Sequence, residues 1–261
     1  TIPAKEVWRV SEDGELRDPF KKLTTVFQMS EEMFFLHYGK DGCNRHVLID
    51  ECRELFGEIY EQIPELPFCN IWTAMQLSSR LPKGALFHMG VSNTRRCWNM
   101  FQLPESVESA CNVGCCGIDG CVSTLVGASL VNPDRLCYVV VGDLTFFYDL
   151  NSLGNHHIGT NLRVMLVNNG RGTEFRLGIH HCNVFGDDAD KYMAAAGHFG
   201  NKSPLLVKHY AEDLGFHYLS ATTKEEFMTA LSNFTNPQLS DHSMILEVFT
   251  DSKDESEALY L

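Results

Sequence analysis

The sequence has little positive charge. Its 21 Lys and Arg stand against 34 Asp and Glu, a formal net charge of −13. Non-specific nucleic-acid binding rests on cationic side chains that neutralise phosphates, so this balance excludes it. Part of the acidic excess lies in the tail at 251–257, read as solvated surface. No apolar run reaches the length of a membrane span, and no signal peptide is present. No membrane association is expected. None of the ten Cys forms a C-x-x-C pair. Cys69, Cys121 and Cys137 lie inside apolar segments, where the thiol acts as a small hydrophobe. A reduced, cytoplasmic protein is therefore expected. Cys115, Cys116, His181 and Cys182 fit no standard zinc spacing. Repeats and low-complexity segments are absent. The chain does not begin with Met and opens in what reads as structured sequence, so a piece of a longer protein is expected.

The 261 residues, 44% of them hydrophobic, suffice for one large α/β domain or two small ones. Residues 5–29 read as short extended segments. Ser30 caps a helix through His37, Gly39 to Gly42 is a break, and Arg45 to Ile63 is amphipathic. Its stripe of Val47, Leu48, Leu55, Ile59 and Ile63 is predicted to face a core. From Pro67 onward, helices and strands alternate. Helices are expected over 71–81, 92–101, 121–130, 188–196, 204–214 and 224–231. Strands are expected over 85–89, 106–112, 216–219 and 243–249. Alternation of this kind predicts a doubly wound, mostly parallel α/β sheet with helices on both faces.

The centre of the pattern is 137–172. An apolar run, Cys137 to Val141, ends in Gly142-Asp143. A helical segment carries Phe146, Phe147, Leu150 and Leu153. A second apolar run, Leu162 to Val167, ends in Asn168-Asn169-Gly170. This is one βαβ unit with polar residues at the carboxyl end of both strands, where open parallel sheets bind ligands. The Asp143 carboxylate, the Asn169 amide oxygen and the Arg171 carbonyl are hard oxygen donors. Few oxygens of this kind suit Mg²⁺, which completes its octahedron with water and substrate phosphates. The helix after Asp143 points its N-terminus at the same place. No Lys follows the Gly, so this is not a Walker loop.

Two further constellations stand at strand ends. Gly114, Gly117 and Gly120 give G-x-x-G-x-x-G, which departs from the dinucleotide fingerprint. A second cofactor contact and a plain tight turn both fit it. Ser92 is placed to cap the next helix. Arg96, one turn in, either binds a substrate carboxylate bidentately or lies on a solvated face. The pairs His156-His157 and His180-His181 read as loop residues.

The runs Gly117-Ile118-Asp119-Gly120 with Val122-Ser123-Thr124, Gly142 to Leu153, and Val167-Asn168-Asn169 together resemble a family. It is the 2-succinyl-5-enolpyruvyl-6-hydroxy-3-cyclohexene-1-carboxylate synthases, thiamine diphosphate enzymes of menaquinone synthesis. The Gly-Asp…Asn-Asn spacing resembles thiamine diphosphate enzymes in general. The resemblance implies residues 1–42 as the remnant of a middle domain and linker, and 43–261 as the pyrophosphate-binding domain. It implies that Asp143, Asn169 and the Arg171 carbonyl hold Mg²⁺ and the diphosphate, with Gly142, Leu144 and Thr145 beside them. The backbone at Cys116 and Gly117 would meet the aminopyrimidine, and Ile118 would support the bent cofactor. Ser92 and Arg96 match positions that touch substrate.

The implied activity is decarboxylation of a small-molecule 2-oxo acid and carboligation of the resulting carbanion to an acceptor. No catalytic residue is expected in this chain. The activating Glu belongs to a pyrimidine-binding domain, from the same parent protein or a partner chain, and a homo-oligomer is expected. Where the family carries an Arg before the Gly-rich turn, this sequence has Val113. That departure points to a relative with altered substrate. A split 2-oxo-acid decarboxylase subunit and a non-catalytic domain keeping the fold are the alternatives.

Overall fold

A computed structural model describes residues 4–39, 47–114, 116–178, 180–193 and 203–260, except for the side chains of Val47 and Asp187. Contacts divide the chain into two units, 1–62 and 63–261. The α2 helix defined below falls in the first of them.

In the first unit, β1 (Val7–Val10) pairs in parallel with β2 (Leu23–Phe27). Helix α1 (Glu31–Tyr38) follows, and the Ser30 hydroxyl accepts the Met33 N–H as predicted. Phe27 packs against Trp8, Phe34 and Tyr38. Helix α2 (Val47–Glu61) is amphipathic, but the predicted burial of its stripe is not what the structure has. Leu48, Leu55 and Ile59 are all more than half exposed. Periodicity shows that a helix has an apolar face, not which surface covers it. The predicted helix start at Arg45 and the break at Gly42 lie outside the described residues.

The second unit is one six-stranded parallel sheet clad by helices. In chain order it contains α3 (Asn70–Leu77), β3 (Leu86–Met89), α4 (Asn93–Trp98), β4 (Glu108–Cys111) and α5 (Cys121–Val131). Then come β5 (Cys137–Gly142), α6 (Asp143–Asp149), β6 (Leu162–Asn168), α7 (Ala189–Tyr192) and α8 (Leu206–Asp213). The last elements are β7 (His217–Ala221), α9 (Lys224–Phe234), β8 (Met244–Phe249) and α10 (Ser252–Ala258). The sheet order is β4-β3-β5-β6-β8-β7, with every neighbouring pair parallel. The doubly wound α/β class read from the alternation is therefore the observed one.

Alternation along each strand assigns its side chains to two cores. Tyr138, Val140, Met165, Val167, Leu246 and Val248 pack with Trp72, Leu77, Trp98 and Phe227 from α3, α4 and α9. Val139, Val141, Val164, Leu166 and Ile245 pack with Val122, Leu125, Phe146 and Ala211 from α5, α6 and α8. Both faces are buried, which is why the central strands read as unbroken apolar runs. The chain leaves β3 for β4 and returns through α5 to β5 on the other side of β3. A crevice therefore opens between the carboxyl ends of β3 and β5, the switch point where such sheets bind ligands.

Several boundaries moved. Helix α3 ends at Leu77, and Ser78–Arg80 tightens into a 3₁₀ turn. Helix α6 ends at Asp149 and continues as the 3₁₀ segment Leu150–Gly154. Over 188–193 the predicted helix is a single α turn, α7, and the rest of that reading lies outside the described residues. Helix α10 was read as acidic tail. The Asp251 carboxylate accepts the Lys253 and Asp254 N–H groups at 2.8 and 3.1 Å, an ordinary N-cap. Glu255 and Ala258, three residues apart and so on one helix face, are both buried.

Candidate active-site cleft

Asp143 is the first residue of α6 and is buried at the end of β5. One carboxylate oxygen accepts the Leu144 N–H at 2.7 Å. The other accepts the N–H groups of Asn169 and Gly170 at 3.2 and 2.6 Å. The adjacent strands β5 and β6 run in register, Gly142 opposite Val167. That register brings the two strand-end turns together across 26 residues of sequence. Gly170 has φ 83°, a left-handed conformation that favours glycine. The Asn169 side-chain oxygen accepts the Arg171 N–H at 3.2 Å, so the turn folds over its own amide.

These groups line a cleft with about 680 Å³ of empty space, counting its open mouth. Ser92, Ile118, Gly142, Asp143, Leu144, Thr145, Asn169 and Arg171, all singled out in the sequence, share that lining. Cys116 and Gly117 are not in it. Cys116 is exposed and takes φ 51°, and its thiol donates to the Val113 carbonyl at 3.3 Å. Cys115 lies outside the described residues. Gly120, at φ 95°, opens α5, and the first turn of that helix is held by the end of α6. The Ser123 N–H donates to the buried Asp149 carboxylate at 2.7 Å. The Gly-rich turn and the end of α6 are thereby one unit.

Two expectations are corrected. Ser92 occupies the N-cap position of α4, but its side chain makes no capping hydrogen bond, and its backbone stands at φ 63°, ψ −128°. Arg96 does not line the cleft. Its guanidinium is gripped bidentately by both carboxylate oxygens of Glu174, with one of the two contacts at 3.0 Å. It also donates to the Asn93 side-chain oxygen at 2.9 Å. Glu174 holds Arg96 protonated above its ordinary range. On the same helix as Asp143, Phe146 is buried in the core, whereas Tyr148 is exposed.

Sequence reasoning missed the other carboxylates. Glu174 and Glu255 both line the cleft with Asp143. Glu255 is buried and accepts the Asn70 N–H at 2.9 Å and the Thr250 hydroxyl at 2.6 Å. Burial pushes its carboxyl up to about 7, against the pull of those hydrogen bonds. Asn70 is fixed in turn, because the Trp98 indole N–H donates to its side-chain oxygen at 3.0 Å. The signal for Glu255 was the Asp251 cap, which turns a charged run into a helix with an inner face.

The oxygens of Asp143, Asn169 and the Arg171 carbonyl fit a hard divalent cation only together with ligand phosphates and water. Among the described residues no three His, Cys, Asp or Glu side chains cluster to hold a metal without such help. No helix among them is long and apolar enough to cross a membrane.

Fold and site thus define a doubly wound α/β protein with an acidic cleft at the switch point of its sheet. No family model matches the chain. It is similar to curated proteins named 2-succinyl-5-enolpyruvyl-6-hydroxy-3-cyclohexene-1-carboxylate synthase, so the resemblance read from the motifs holds. The one from Bacteroides fragilis is 33% identical over 263 residues, 98% of this chain and 45% of that protein. The Phocaeicola vulgatus protein is 32% identical over 265 residues, 98% of this chain and 44% of its own length. The Christiangramia forsetii protein is 33% identical over 199 residues, 76% of this chain and 33% of that protein. The chain spans less than half the length of these relatives.

Proposed function

We propose that this chain is the cofactor-binding part of a thiamine diphosphate- and Mg²⁺-dependent enzyme acting on a 2-oxo acid. The observation that carries the reading is the buried Asp143 carboxylate, joined to the Asn169-Gly170 turn at the carboxyl ends of adjacent strands. Asp143, the Asn169 side-chain oxygen and the Arg171 carbonyl hold Mg²⁺ and the diphosphate. Gly142, Leu144 and Thr145 line that end, where a bulky substitution would narrow the cleft. The backbone at Cys116 and Gly117, next to the lining residue Ile118, would meet the aminopyrimidine, and Ile118 would support the cofactor. Thiamine diphosphate, when bound, supplies the electron sink for 2-oxo-acid decarboxylation and carbanion transfer.

The activating carboxylate comes from a pyrimidine-binding domain of the parent protein or a partner chain, in a cytoplasmic homo-oligomer. These 261 residues alone are inactive on this reading. The names of the relatives support a synthase of the menaquinone pathway or one with altered substrate. Val113, which offers no cation on the Gly-rich turn, favours the second reading, a split 2-oxo-acid decarboxylase subunit.

Titration of the full-length protein with thiamine diphosphate, with and without Mg²⁺, tests the proposal. Tight binding that needs Mg²⁺ and is lost in Asp143→Ala is expected. Equal affinity in that variant, or binding indifferent to Mg²⁺, overturns the metal assignment.

A further inference from the structure

The buried acid of α10 has a consequence for the ligand. Glu255 comes from the last helix, but it shares a corner with the Asn169 turn. The Thr250 N–H donates to the Asn168 carbonyl at 3.2 Å, which ties the end of β8 to the end of β6. The Thr250 hydroxyl then donates to Glu255 at 2.6 Å. The carboxyl ends of β5, β6 and β8 thus bring Asp143, the Asn169 turn and Glu255 to one side of the cleft. Glu255 uses its two oxygens differently. Both protein donors, the Asn70 N–H at 2.9 Å and the Thr250 hydroxyl, go to Oε1. Oε2 accepts from none of the described residues, and it is not sealed among the buried unpartnered atoms. Its place in the lining leaves that atom to the cleft.

A carboxyl with one oxygen filled by donors carries its proton on the other, where it becomes a donor itself. Ionised, Oε2 would repel a phosphate beside it. Neutral, it would give that phosphate a hydrogen bond. The surroundings favour the neutral form. Burial raises the carboxyl to about 7, and the charges of Asp143 on α6 and Asp254 on α10 push the same way. The neighbouring Cys69 and Cys97 thiols are raised by burial and stay uncharged. Glu174 and Arg171, from the segment after β6, complete the charged lining, and Asp251 caps the helix that carries Glu255. The described lining holds no His, whose ordinary range would overlap that of Glu255.

Resting on the thiamine diphosphate reading, we infer that Glu255 is a further ligand-binding residue, a neutral acid that donates a hydrogen bond from Oε2 to a phosphate oxygen. Binding then moves a proton from solvent onto Glu255. Affinity is full where Glu255 is already protonated and falls as pH rises through about 7.

The test uses the full-length protein, wild type and E255Q, with Mg²⁺ and either thiamine diphosphate or inorganic pyrophosphate. In glutamine the side-chain oxygen keeps the bonds from Asn70 and Thr250, and the amide nitrogen is a donor in place of Oε2 at every pH. Calorimetry between about pH 6 and 8, in two buffers of different ionisation heat, reads affinity and protons together. Over that range wild type is expected to lose up to about tenfold more affinity than E255Q, and at about pH 7 to take up about half a proton more. A purely structural role would shift affinity equally at both ends of the range and leave the proton count unchanged. Equal slopes in the folded variant overturn the inference, and with binding that still needs Mg²⁺ they leave the cofactor reading standing. Wild-type binding that strengthens with pH relative to E255Q also overturns it, since Glu255 would then act ionised, on the cation. Pyrophosphate bound with the expected slope, where thiamine diphosphate is not bound, keeps this inference and overturns the cofactor reading. If neither ligand binds at any pH, both fall. If E255Q fails to fold, net proton uptake by the wild type supports the inference and net release overturns it.

Discussion

Glu255 offers a prediction whose size can be worked from the structure. Its carboxyl is buried and raised from 4.5 to about 7, chiefly by burial and partly by the charge of Asp143. A raised carboxyl means that folding takes up a proton between about pH 4.5 and 7. Stability from this group is present below 4.5 and is lost as pH rises through 7. At about 1.4 kcal/mol per pH unit, the upper limit of the loss is about 3 kcal/mol. Glu255→Gln keeps an oxygen to accept from Asn70 and Thr250 and removes the charge. The variant should match wild type near pH 4 and exceed it by up to about 3 kcal/mol at pH 8. For a unit of this size that is roughly 6–12 °C in Tm. Urea unfolding without added divalent metal, followed by tryptophan fluorescence, is the assay. Trp98 is a local reporter, since its indole bonds to the Asn70 whose N–H reaches Glu255. A stability difference that stays flat between pH 4.5 and 8, or a less stable variant at pH 8, refutes the reasoning.

The remaining predictions concern the frame of the cleft. Asp143→Ala strands three backbone N–H groups as well as removing the proposed metal ligand, so it should destabilise the second unit by about 2 kcal/mol or more. Denaturant midpoints read the loss, and an unchanged midpoint would assign Asp143 to ligation alone. Ser92→Gly should stabilise by about 1 kcal/mol, because the φ 63°, ψ −128° backbone strains any side chain and no cap bond is lost; a drop in Tm contradicts this. Asp149→Ala leaves the Ser123 N–H without its acceptor and should cost about 1–2 kcal/mol. Its hydrogen exchange at Ser123 should speed up, and an unaltered rate would mean that another group holds the turn.

The fold was legible because the parallel sheet buries both faces. Val139, Val140 and Val141, and Val164 to Val167, sit in two cores at once and so appear as continuous apolar runs. The position of Asp143 and Asn169 at the ends of those runs followed directly. What failed to read was long-range pairing of charge. Nothing local to Arg96 announces that Glu174, 78 residues away, will take its guanidinium. A helix face of α2 was read correctly, but the surface that covers it is not written in its period.

Glu255 shows why the acidic tail misled. Asp and Glu are almost never fully buried unless they are paired, so a run such as Asp251 to Glu257 is assigned to solvent by composition. Its first carboxylate caps a helix, and the cap fixes which later residues turn inward. Glu255 then falls beside a free backbone N–H at the start of α3, and the hydrogen bond to Asn70 offsets part of the cost of burial. The acid that composition places outside is thereby held inside, at the edge of the same cleft as Asp143. Charge counted along the sequence gives the sign of the surface. Only the caps and the donors waiting in the fold decide which of those charges become part of a site.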